Sequence, residues 1–147
     1  MTFALLLGVA TVFAQQSSAG THSTGNASRA PAHVLTRAEI DKLLAKPDEI
    51  LIIDVRRPDE VSKIGGLPVY LSVQISDLER SVAWIPPGRS IITVSNQAKR
   101  AATAAEFLAG HGFKVAGALG VQTYEQEGGT LTKIAVPAEH LAESKNP

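Results

Sequence analysis

None of the 147 residues is a cysteine. That excludes a disulfide framework, even in an oxidising compartment, and it excludes a lipoprotein anchor. An excess of charge of one sign is missing as well, because 14 basic and 14 acidic side chains cancel formally. Nothing electrostatic therefore points to nucleic acid or an anionic membrane surface as partner. The chain also has no glycine-rich nucleotide loop, no metal-ligand spacing and no paired carboxylates in a credible cleft, so neither cofactor nor metal is expected. Its longest apolar stretch at the start, Thr2 to Phe13, is too short to span a bilayer.

What remains is a globular balance, with 44% apolar and 19% charged residues, at a length that suits one domain. Residues 1–14 read as a signal peptide, with small Val12 and Ala14 placed for cleavage before Gln15. No Lys or Arg precedes the apolar run, and a buried N-terminal helix or strand is the alternative. The export reading places the mature chain in the periplasm or outside the cell, without a membrane span; the alternative is the cytoplasm. Residues 15–31, QQSSAGTHSTGNASRAP, read as a polar linker with almost nothing to bury. The domain is expected over 32–136, followed by a tail, 137–147.

Within the domain, Val34 and Leu35 suit a short first strand. Thr36 and Glu39 make a capping-box pattern at the head of TRAEIDKLLAK, with Ile40, Leu43 and Leu44 on one face. The run Ile50 to Val55 is continuous, apolar and rich in β-branched residues, as in a strand covered on both faces. Pro58 opens a short helix that Gly65 and Gly66 end. A strand is expected from Tyr70 to Ile75, then a helix capped by Ser76 with Leu78, Val82 and Trp84 facing inward. Ser90 to Val94 reads as the next buried strand. A polar loop of residues 95–100 follows, then a helix whose small face is Ala101, Ala104, Ala105 and Leu108. Phe113 to Ala116 is expected as the last strand, with a short helix around Tyr124. Strands and helices alternating at this spacing imply right-handed crossovers and a mainly parallel sheet. In such sheets, ligands bind beyond the carboxyl ends of the strands, where 95–100 falls.

Four segments then resemble a rhodanese-like domain: LIIDVRRPDE (51–60), GGLPVYLSVQISDL (65–78), IITVSNQAKRAATAAEFLAGHGF (91–113) and KVAGALGVQTYEQEGG (114–129). The resemblance implies a three-layer α/β sandwich on a mainly parallel, about five-stranded central sheet. It also implies a place for the sulfurtransferase nucleophile. The family loop reads Cys-x-x-Gly-x-Arg or a near variant. Here the nucleophile position is Ser95, the loop glycine is Ala98 and the loop arginine is Arg100. Gly66 stands at the family's histidine, Val69 at the glycine after its proline, and Tyr124 at an aromatic position. Asp54 and Arg56 keep their places as supporting residues.

A serine cannot inherit the family chemistry. Sulfur transfer runs through a persulfide on a soft, partly ionised thiolate, and a hydroxyl is neither. Attack on carbon or phosphorus would need a positioned base, and none of His22, His33, His111 and His140 is spaced to supply one. The expectation is a domain inactive as a sulfurtransferase, acting as a binding or regulatory module. An atypical enzyme of the family or a Ser95-dependent hydrolase is the alternative. The loop Ser95, Asn96, Gln97, Ala98, Lys99 and Arg100 remains a candidate site for a small anion or a protein partner. It runs into a helix N-terminus, and Lys99 and Arg100 add positive charge. Against this, Arg100 has the option of pairing with an acidic side chain. A positive φ at Ala98, if the family glycine has one, would cost about 1 kcal/mol.

Overall fold

A computed structural model describes residues 31–133. The leader, nearly all of the linker, the last residues of the expected domain and the tail lie outside the described residues.

Four strands form one all-parallel sheet in the order β2-β1-β3-β4: β1 (Ile50–Asp54), β2 (Leu71–Ser72), β3 (Ser90–Ser95) and β4 (Val115–Gly120). Five helices connect or flank them: α1 (Arg37–Leu44), α2 (Pro58–Ile64), α3 (Leu78–Ser81), α4 (Lys99–Gly110) and α5 (Val121–Gln126). The expected fifth strand is reduced to a single parallel bridge, Val34 to Ala118, on the free edge of β4. It goes no further because Thr36 already caps α1, accepting from the Glu39 amide while Glu39 reaches back to the Thr36 amide.

The unbroken apolar runs are explained by helices on both sides. On β1, Ile50 and Ile52 enter one core with Ile40, Ile92, Val94, Leu119 and Tyr124. Ile53 and Val55 enter the other, with Leu78, Ile91, Ala104 and Leu108. The small face of α4 is buried as its pattern implies, Ala101 and Ala105 packing on Ala118 of β4. That close approach also lets the buried Thr93 hydroxyl of β3 donate to the Ala101 carbonyl at 2.8 Å.

Three boundaries differ from expectation. The last strand is Val115–Gly120 rather than Phe113 to Ala116. Phe113 instead closes the turn after α4, its amide bonding the Leu108 carbonyl. The strand expected from Tyr70 to Ile75 is paired only at Leu71 and Ser72, because Ile75 already starts a 3-10 turn. Ser76 is not the cap of α3; Asp77 is its N-terminal flanking residue. Trp84 does not face inward and is 83% exposed. After Ser81 the chain tightens into a 3-10 turn, Val82–Trp84, whose larger rotation per residue carries the side chains out of α-helical register. Ile85 takes the buried place instead.

Candidate functional site

β1 and β3 end side by side, with Asp54 in register with Val94, so the residues that follow each strand meet. Asp54 and Arg56 are both buried. The Arg56 guanidinium donates through Nε to Asp54 Oδ1 (2.9 Å) and through Nη2 to Oδ2 (2.6 Å). Nη2 also reaches the Gly65 carbonyl at 2.9 Å, and Nη1 reaches Asn96 Oδ1 at 3.2 Å. The fork thus ties the end of β1 to the end of α2 and to the loop after β3. Gly66 lies beside the fork, and a Cβ there would meet Arg56 Nη2 at 3.4 Å, an ordinary contact distance.

Ser95 is the last residue of β3 and is fully buried. Its hydroxyl donates to the Gln97 carbonyl (2.9 Å) and accepts from the Ala101 amide (3.0 Å). It therefore works as an internal cap, satisfying an amide in the first turn of α4. The two histidines among the described residues are engaged elsewhere, His33 with Glu39 and His111 with the Phe107 carbonyl.

The stretch 95–100 is less of a loop than its polarity suggests. Lys99 and Arg100 already belong to α4, and only Asn96, Gln97 and Ala98 connect strand to helix. Ala98 is right-handed, with φ −41°, so the position carries no left-handed strain. The loop instead lies against Gly120, where an added Cβ would come 2.7 Å from the Ala98 nitrogen. The Asn96 carbonyl accepts from the Gln122 amide at 3.1 Å, which seats the loop on the start of α5. Asn96, Gln97, Lys99, Arg100 and Gln122 line an open polar depression at the carboxyl end of the sheet.

Arg100 is paired. Its Nη1 and Nη2 donate to Glu60 Oε2 (2.9 Å) and Oε1 (2.6 Å). The same carboxylate accepts from Asn96 Nδ2 at 2.7 Å and from the Arg57 amide at 3.1 Å. The Arg100 hydrogen bonds, helped by the Arg57 amide and opposed by burial, hold the Glu60 carboxyl at about 2 rather than 4.5. Lys99 is exposed and makes no ion pair among the described residues. Glu60, Gly120 and Gln122 were not singled out from the sequence. Glu60 carries a usable signal: an acidic residue at the third position of a helix opened by Pro58 is placed to cap its own first turn.

An apolar cleft of about 360 Å³ lies at the other end of β1, between Leu44, Ile50, Ile52, Tyr70 and Leu71. It opens where β2 stops pairing, below Ile53. Among the described residues, no helix is long and apolar enough to cross a membrane, and no group of three or more His, Asp and Glu is placed to hold a metal.

The sheet order, the β3–loop–α4 junction and the flanking helices are those of the rhodanese-like fold. The chain is similar to a rhodanese-related protein from Thermoplasma volcanium, at 21% identity and a TM-score of 0.57, over 69% of this chain and 97% of that one. A rhodanese-like domain protein from Staphylococcus aureus gives 20% identity and 0.56, over 69% and 98%. A thiosulfate sulfurtransferase from Pseudomonas aeruginosa gives 24% and 0.53, covering 74% of this chain but 22% of that longer one. No family model and no curated protein sequence matches the chain. The fold expectation thus holds, and the absence of cysteine fits an inactive form of it.

Proposed function

We propose that this protein is an exported, rhodanese-like binding or regulatory module that does not transfer sulfur. The observation that carries this reading is the state of Ser95. At the position of the family nucleophile it offers a hydroxyl, buried and engaged on both its donor and acceptor sides. No thiol elsewhere in the chain can take over, and a hydroxyl forms no stable counterpart of a persulfide. Hydrolysis through Ser95 is disfavoured by the same geometry, since no histidine hydrogen-bonds it among the described residues.

The ligand side of the proposal rests on the depression at residues 96–100 and Gln122. The α4 N-terminus and Lys99 favour an anionic group there, either a small anion or an acidic side chain of a partner protein. The apolar run Thr2 to Phe13 supports export, and the mass of the mature N-terminus checks cleavage before Gln15.

A thiosulfate:cyanide assay on the purified full chain tests the main claim. The natural protein and Ser95→Ala are both expected to be silent. Transfer by the natural protein would overturn the reading. Activity appearing only in Ser95→Cys would support a cradle that lacks its nucleophile.

A further inference from the structure

We propose that the apolar cleft beside the first half of β1 binds an apolar peptide segment of a partner protein, one extended residue of which completes the unfinished β1–β2 ladder. The cleft is at the opposite end of β1 from the Ser95 loop, and the inference does not depend on the anion reading above. In parallel pairing a residue sends its N–H and its C=O to the same neighbouring strand, and successive residues alternate between the two neighbours. The Asp54 carbonyl accepts from the Val73 amide on the β2 side at 3.0 Å, and the Val55 amide donates to Val94 of β3 at 2.9 Å. Ile50 and Ile52 therefore face the β2 side, as Asp54 does. β2 pairs with β1 only at Ile53 and Asp54. Carried further back, that register would bring the Val69 amide to the Ile50 carbonyl and the Val69 carbonyl to the Ile52 amide. Neither bond forms, and Val69 is 78% exposed. The Ile50 carbonyl and the Ile52 amide are left without a partner among the described residues, although both residues are only 6% exposed.

The empty seat asks for a particular chemistry. An open acceptor and an open donor on one strand edge match the N–H and C=O of a single extended residue, the contact by which peptides add to sheets. Around that edge Leu44, Ile50, Ile52 and Leu71 line an apolar volume of about 360 Å³, within the range of small-ligand sites. An aliphatic chain would fill the volume but leave both backbone groups open, at about 1–3 kcal/mol each. Asp48 and Arg89 also line the cleft, one charge of each sign, and neither is in an ion pair among the described residues. Their formal charges cancel, which suits a neutral segment better than an acidic or basic one.

The probe is a capped, neutral peptide, acetyl-Val-Val-Val-amide, titrated into the full chain and followed by calorimetry and amide NMR. The Ile52 amide resonance is expected to move, with those of Leu51 and Ile53, which face β3, moving less. A peptide methylated on its central nitrogen loses one of the two ladder bonds and is expected to bind about tenfold more weakly. Val69→Asp and Leu71→Asp, which place a charge on exposed lining positions, are each expected to weaken the parent peptide at least about tenfold while the spectrum of β3 and β4 stays intact. Equal binding of the parent and methylated peptides would overturn the proposal, because the cleft would then take apolar matter without pairing. Tighter binding of decanoate than of the peptide would overturn it in favour of an aliphatic ligand. An Ile52 resonance that moves with protein concentration alone would assign the edge to a second copy of the chain and overturn it too. Absence of any shift at millimolar peptide would end it outright, and none of these results bears on the thiosulfate:cyanide assay.

Discussion

The guanidinium of Arg56 and the carboxylate of Asp54, two residues on from each other at the end of β1, are both buried and joined by two parallel hydrogen bonds. The guanidinium reaches further, with Nη2 donating to the Gly65 carbonyl and Nη1 to Asn96 Oδ1. Removing one partner of such a pair leaves the other charged and unsolvated. Asp54→Ala is therefore expected to destabilise the fold by about 3–5 kcal/mol. Urea denaturation followed by circular dichroism measures it. A midpoint that barely moves would show that the pair does not anchor the end of the sheet.

Ser95 presents a smaller but more local dependence. Deleting its hydroxyl leaves the Ala101 amide and the Gln97 carbonyl without their partner. Ser95→Ala should then cost about 1–3 kcal/mol and speed hydrogen exchange at the Ala101 amide more than at Leu108, deeper in the same helix. Uniform acceleration along α4 would mean that the hydroxyl supports the whole helix rather than capping its start.

Gly120 is required for want of space rather than for its backbone angles, since its φ is −98°. An alanine Cβ there would fall 2.7 Å from the Ala98 nitrogen and 3.4 Å from Gln97 backbone atoms. The loop must then lift off β4. Gly120→Ala is expected to cost about 1–3 kcal/mol and to shift the amide resonances of Asn96, Gln97 and Ala98 while leaving those of β1 in place. Unchanged loop resonances would contradict the contact.

Some of these features are legible in the sequence and others exist only in the folded chain. The Ile50–Val55 run, the Thr36–Glu39 cap and the Ala101/Ala104/Ala105/Leu108 face each express a local rule, so strand, cap and helix could be read directly. Trp84 obeyed no local rule, because a 3-10 turn altered the spacing that would have turned it inward. The β2 strand is shorter than its alternation suggests for a similar reason: Tyr70 to Ile75 alternates, but a 3-10 turn begins at Ile75. At the site, Ser95, Asp54 and Arg56 were found by position within a resembling pattern. Glu60 was not, since its partner lies 40 positions away on a different helix, and no periodicity links two such residues. Gly120 shows its importance only through what a side chain would strike.

The Glu60–Arg100 pair should make stability depend on acidity in a direction its chemistry fixes. Arg100 holds the Glu60 carboxyl at about 2 in the folded chain, against an ordinary value of 4.5. The unfolded chain thus takes up the proton at a higher pH than the native one. The stabilisation is fully present above about pH 4.5 and is lost as the pH falls through the window down to about 2. Glu39 titrates in the same window, held at about 2 by the Thr36 amide and hydroxyl and by His33, so the acid limb of the whole protein mixes both groups. Glu60→Gln separates them, because it removes one contribution and leaves the Thr36–Glu39 cap intact. Urea midpoints of the natural chain and Glu60→Gln should differ most near neutrality and converge as the pH drops through that window. A difference between the two that stays constant from neutral to acid pH would show that Glu60 contributes packing and neutral hydrogen bonds rather than its charge.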